Sequence, residues 1–170
     1  MQNNNIPNFE DIFNRFPQAR ASINGSILYP DIKGDIWFYN TEYGIFVIAD
    51  VEGLPNPNEN CKSPIFAMHI HEGGSCSGNN TDPFANAGMH YNPSVCPHPY
   101  HAGDLPPLFG VNGNAFLATL TNQFNINEII GKTIIIHSMP DDFKTQPSGN
   151  SGNKIACGEI KLYNFHKIFL

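Results

Sequence analysis

Charge is scarce in this chain, and what there is leans one way. Charged residues make up 14% of 170, the net charge is −6, and Arg15 and Arg20 are the only arginines. So acidic a balance argues against nucleic acid and against an anionic membrane surface as partners. Long hydrophobic runs are also missing: apolar stretches last only a few residues, far short of the ~20 that span a bilayer. The opening Met1-Gln2-Asn3-Asn4-Asn5-Ile6-Pro7 lacks the basic and apolar regions of a secretion signal, so the sequence as written reads as cytoplasmic. Four cysteines, Cys61, Cys76, Cys96 and Cys157, make no C-x-x-C pair, which argues against a thiolate zinc site or a thioredoxin-type motif. Four allow two disulfides in any of three pairings, while the cytoplasmic reading weighs against disulfides in general. No internal repeat or low-complexity tract appears beyond the Asn-rich start.

Glycine and proline are plentiful, at 15 and 14 residues, and they punctuate short apolar runs. That is a β-rich pattern. Candidate strands are 21–23, 35–40, 45–51, 65–71, 114–120, 133–137 and 155–162, with Asn112-Gly113 as a tight-turn signal before one of them. Phe9, Ile12, Phe13 and Phe16 have the spacing of a short amphipathic helix over 8–16, and a second helical turn fits 126–130. At this length the chain reads as one domain able to bury roughly two-thirds of its unfolded surface. Residues 72–110 and 138–154 break the strand rhythm, and loops that long are usually functional.

Histidine is the anomaly. Five of seven lie between residues 69 and 104, as His69, His71, His90, His98 and His101, with Asp104 closing the group. His137 ends the apolar run Thr133-Ile134-Ile135-Ile136. Neutral imidazole is the commonest transition-metal ligand, and an imidazole-rich set suits copper or zinc. Alternation along 65–71 puts Phe66, Met68 and Ile70 on one side and His69 and His71 on the other. The apolar side then faces a core, and the two histidines face the long loops. His166, in the tail, reads as a surface residue without a role.

These residues also resemble a known family. Over about 21–160 the chain is similar to copper/zinc superoxide dismutases, through His69-Ile70-His71-Glu72, Gly88-Met89-His90-Tyr91-Asn92-Pro93, His101-Ala102-Gly103-Asp104-Leu105, Gly131-Lys132-Thr133-Ile134-Ile135-Ile136-His137 and Gly149-Asn150-Ser151-Gly152-Asn153-Lys154-Ile155-Ala156-Cys157-Gly158. The resemblance implies an all-β fold, an eight-stranded antiparallel Greek-key β-barrel of immunoglobulin-like sandwich type with two long functional loops, spanning 20–163. Residues 1–19 would be an N-terminal extension with the short helix, and 164–170 a tail. It implies copper on His69, His71, His90 and His137 and zinc on His90, His98, His101 and Asp104, with His90 bridging. Asp141 would link a copper histidine to a zinc histidine, and Cys76–Cys157 would be the disulfide. The implied substrate is superoxide, dismuted by alternate reduction and oxidation of copper while His90 takes up and returns a proton. A homodimer is compatible with the family, which includes monomers as well.

Three departures stand out. Lys154 occupies the place of an arginine that guides superoxide to copper; lysine keeps the charge but loses the planar fork. Only Pro99 and Tyr100 separate His98 from His101, so the zinc loop is trimmed. The stretch from Asp141 to Lys154 is also short and holds few charges besides Lys144. A dismutase-like protein that stores or buffers copper and zinc without turnover is the alternative these departures suggest. Cys61 and Cys96 match nothing in the family; a second disulfide, reduced thiols or a transient copper ligand are all open.

Overall fold

A computed structural model describes residues 16–56 and 64–163. Eight strands follow one another: β1 (Ala19–Gly25), β2 (Lys33–Thr41), β3 (Gly44–Glu52), β4 (Ile65–His71), β5 (Asp104–Phe109), β6 (Ala115–Thr121), β7 (Thr133–His137) and β8 (Lys154–Leu162). One helical turn, α1 (Ile126–Ile129), precedes β7. Period-two patterning builds the strands. In β2, Ile36 and Phe38 are fully buried while Trp37 and Tyr39 take the other face. Inward residues such as Ile23, Val47, Met68, Ile136 and Ile160 meet in one core.

Every pairing is antiparallel, in the order β5-β4-β7-β8-β1-β2-β3-β6. The two end strands, β5 and β6, approach each other, so the sheet rolls into a nearly closed barrel. β3 pairs with β6 and β4 with β7, the crossed connections of a Greek key. Asn112 and Gly113 both have positive φ between the bridged Val111 and Asn114, as a primed hairpin turn requires.

The eighth strand is the one the seven sequence candidates lacked. β5 lies within 72–110, which reads as loop because Asp104-Leu105-Pro106-Pro107-Leu108-Phe109 carries two residues without a backbone donor. Proline is tolerated there because β5 ends the strand order and hydrogen-bonds to β4 alone. The register opposes Phe66 and Met68 to Leu108 and Leu105, three residues apart, so β5 carries a bulge that turns both leucines inward. The helix expected over 8–16 lies outside the described residues except for Phe16, as do Cys61, His166 and the tail. Among the described residues, no helix is long and apolar enough to cross a membrane.

β4 sets the site. Phe66, Met68 and Ile70 enter the core, and His69 and His71 point to the opposite side, as the alternation predicts. They are nonetheless 0% and 2% exposed, because the segments after β4 and β7 fold over them.

Candidate metal centre

The barrel and its two covering segments gather the histidines into two groups that share one ring. His69, His71, His90 and His137 form the first; His90, His98, His101 and Asp104 form the second. Within each group the donor atoms lie within 4.8 Å of one another. His69 and His71 come from β4, His137 from the end of β7, and His90 is bridged to His71 beside the sheet. His98 and His101 stand on the segment before β5, and Asp104 is the first residue of that strand. The seven ligand candidates of the sequence are thus all in one place.

In the first group, outward-facing ring nitrogens are anchored and inward-facing ones converge. His69 Nε2–H donates to Asp141 Oδ2 at 2.8 Å, His71 Nδ1–H to Gly88 O at 2.9 Å, and His137 Nδ1–H to Gly152 O at 3.4 Å. The remaining nitrogens face one another: His71 Nε2 and His137 Nε2 are 3.3 Å apart. That is close to the edge of a tetrahedron around an ion with bonds of ~2.0–2.1 Å, roughly 3.3–3.4 Å.

The second group closes around Asp104. Its carboxylate lies 2.8 Å from His90 Nδ1, 3.0 Å from His98 Nδ1 and 3.3 Å from His101 Nδ1. His98 Nδ1 is that near yet not aligned for a hydrogen bond, and with His69 Nδ1 and His90 Nε2 it is buried without a hydrogen-bond partner. Leaving a buried polar atom unmade costs about 1–3 kcal/mol. Three such atoms at one centre, each with its lone pair aimed inward, fit metal ligation.

Asp141 joins the groups. Its Oδ2 accepts from His69 and its Oδ1 from His98 Nε2–H at 2.9 Å and from the Phe143 N–H at 2.7 Å. Burial would raise this carboxyl, but those three bonds outweigh it and hold it far below the usual carboxylate range. Asp104 is likewise raised by burial, and the His90 ring, the His101 N–H and the nearby imidazoles together outweigh that and lower it. Burial dominates at the imidazoles instead: His69, His101 and His137 are lowered, and His71 is pushed down to about 3. Neutral imidazole is the form that binds metal.

Lys154 opens β8 opposite His137 and lines a cavity of about 340 Å³ with His71, His90, His137, Asp82 and Met89. Its ammonium is already engaged, 2.8 Å from Asp82 Oδ2 and 3.1 Å from Phe84 O. Asp82 and Gln146 carried no signal in the sequence, and Gly149 entered only as part of a family-matched segment. Gln146 clamps the His98 backbone, accepting from its N–H at 3.0 Å and donating to its carbonyl at 2.6 Å. Gly149, at φ +66°, leaves room that a Cβ would take from Asp141 Oδ1 and His98 Nε2. Cys76 and Cys157 are disulfide-bonded, with Phe84, Ala87 and Ile135 packed around them. Among the described residues, Cys96 carries a free thiol.

Residues 32–160 match the family model described as copper/zinc superoxide dismutase (SODC). The chain is 32% identical over 146 residues to "Superoxide dismutase [Cu-Zn] 2" of Aquifex aeolicus, covering 77% of this chain and 80% of that one. It is 39% identical over 130 residues to a superoxide dismutase-like protein of Bacillus subtilis, covering 66% and 65% of the two chains. The solved copper/zinc superoxide dismutase of Brucella abortus superposes with a TM-score of 0.70 at 22% identity, over 84% of this chain and 99% of that one, which shows the shared fold. A barrel with two four-donor groups around one shared histidine and a family match over most of its length lead to one assignment: this chain belongs to the copper/zinc superoxide dismutase family.

Proposed function

We propose that the chain disproportionates superoxide to dioxygen and hydrogen peroxide, with copper held by His69, His71, His90 and His137 and zinc by His90, His98, His101 and Asp104. The observation that carries this reading is the pair of donor groups sharing His90, with buried ring nitrogens aimed inward and left without partners. Four neutral imidazoles suit copper, and three imidazoles with a carboxylate make a closed site that suits structural zinc. Bound copper supplies the reversible one-electron chemistry that oxidises one superoxide and reduces the next, two protons being consumed.

The rest is the work of the chain. Asp141 fixes the tautomers of His69 and His98 at once, so both present Nδ1 inward, as second partners of ligating histidines commonly do. Gly88 O and Gly152 O do the same for His71 and His137, which present Nε2. His90 Nδ1 faces the Asp104 carboxylate, so its buried Nε2 is the atom free to take up and return a proton. The cavity beside His71, His90 and His137 admits a small anion and carries Lys154 on its wall. The activity named for the Aquifex relative agrees with this reading. Cytoplasmic residence and homodimer formation belong to the same proposal, checked by cell fractionation and by sedimentation.

Elemental analysis after loading, paired with a dismutation assay on the same sample, tests it. About one copper and one zinc per chain with fast copper-dependent dismutation is the expected result. Full loading with negligible turnover would leave a metal-binding protein and overturn the enzyme.

A further inference from the structure

We propose that Asp82 is a positioning residue for the anion route: it fixes the Lys154 ammonium on the wall of the copper-side cavity and offsets its charge, so an incoming anion competes with Asp82 for the lysine. This rests on the dismutase reading of the same site.

Apart from its three histidines, the cavity lining carries formal charge only at Lys154 and Asp82 among the described residues. They sit 2.8 Å apart, so the wall presents an ion pair where an unpaired lysine would present a net positive charge. The potential of such a pair falls off faster with distance than that of a single charge. The lysine side chain is 16% exposed and the aspartate 39%, so solvent screens the pair less than it would a fully exposed one.

The carboxylate is preset for this task. Its Oδ1 accepts from the Phe84 N–H at 3.0 Å, which leaves Oδ2 for Lys154. The Asp82 N–H in turn donates to Asn79 Oδ1 at 3.0 Å. Phe84 packs against Cys157 and Ile135, and Cys157 lies on β8 a few residues beyond Lys154. The Cys76–Cys157 bond therefore ties the segment bearing Asp82 to the strand bearing Lys154.

An ammonium has three N–H donors. Asp82 takes one and Phe84 O another, so the third is the one left for the cavity. Arginine holds its donors in a rigid fork, while lysine rides on a flexible stem. Asp82 supplies the missing rigidity and lowers the pull on anions as it does so.

Azide titration of the copper- and zinc-loaded protein, read by visible absorption at low and moderate salt, tests the proposal. Asp82→Asn keeps an oxygen for the Phe84 N–H and removes the charge; Asp82→Ser is a second route should the first fold poorly. Both are expected to bind azide about tenfold more tightly, with a steeper salt dependence, as removal of one negative charge near the anion implies. Asp82→Glu, which restores the charge, and Asp50→Asn, an equal charge change on the exposed β3 position, should stay within twofold of the original chain. Neutral variants at 82 that bind azide within twofold, or an Asp50→Asn effect of equal size, would overturn the role of Asp82 while copper loading and dismutation stood. A chain that takes up no copper would overturn the underlying reading and this inference with it.

Discussion

His69, His71 and His137 stand on paired strands, whereas His98 and His101 stand on a connecting segment held by side chains. The strand-borne rings inherit their positions from backbone register: His69 faces Ile135 and His71 faces Thr133 across β4 and β7, with Met68, Ile70 and Ile136 filling the core behind them. One hydrogen bond apiece then sets the ring orientation. The loop-borne rings depend on a few side-chain bonds: two long-range ones, from Gln146 to the His98 backbone and from Asp141 to its ring, and a local one in which the His101 N–H donates to Asp104. Such bonds contribute about 1 kcal/mol each, more where charge assists. Ligands of the same chemistry are thus secured by cooperative barrel folding on one side and by separable contacts on the other. Damage to the barrel should lower global stability and spare metal selectivity, while damage to the contacts should do the reverse.

The disulfide joins the two regimes, and breaking it should have the largest effect. Cys76 and Cys157 are 81 residues apart, a closure that stabilises by about 4 kcal/mol on the chain-entropy account. The double replacement by serine should lower the urea-unfolding free energy of the metal-free protein by roughly that amount. A change under 1 kcal/mol would mean that the Phe84–Ile135 packing alone holds the segment. Next comes the barrel itself. Ile134→Ala, at a fully buried β7 position, should cost about 3 kcal/mol in the same experiment. While folded, that variant should still take up both metals, and selective loss of zinc from it would break the comparison.

Much of the strand-borne half was legible in the sequence, because residue type and alternation state it directly. Phe66, Met68 and Ile70 had to share one face, and His69 and His71 the other. β5 was not legible: Pro106 and Pro107 argue for a loop until it is seen that the strand sits at the end of the strand order. The support of the loop-borne half was also hidden. Gln146 meets His98 across 48 residues and Asp82 meets Lys154 across 72, and neither residue type announces a partner. Asp141 and the pairing of Cys76 with Cys157 were reached only through the family resemblance, since spacing alone left three disulfide pairings open.

Asp141 spans the comparison, and Asp141→Ala should separate its halves. His98 and His69 both lose an acceptor, but His69 keeps its place on β4. Zinc affinity should fall about 10–100-fold in competition with a chelator, with copper affected less. Equal losses of the two metals would show that strand mounting confers no advantage. Acid should probe the strand-borne rings in the metal-free protein. Burial holds His71 near 3, below its ordinary value of about 6.5, so the unfolded chain binds a proton that the folded chain refuses. Stability is then unaffected above pH 6.5 and declines as pH falls towards 3. At pH 5.5 the loss from this ring is about 1.4 kcal/mol, read as a lower urea midpoint than at pH 7.5. An unchanged midpoint would place His71 in contact with water.

Gln146→Ala should have the smallest effect and the most selective one. Gln146 is exposed, so its two bonds to the His98 backbone contribute little to the folding free energy, and the unfolding midpoint should move by under about 0.5 kcal/mol. Those bonds nevertheless keep the His98 backbone in place before zinc arrives. Without them, ordering of that segment is charged against zinc binding, so zinc should leave a few-fold faster when a chelator is added. Copper release should not change, since no copper-side ring touches Gln146 among the described contacts. Unchanged zinc release would mean that Asp141 and the ligands order the segment unaided. The loop would then be as firmly set as the strands, and the contrast between the two halves would reduce to a difference in backbone geometry.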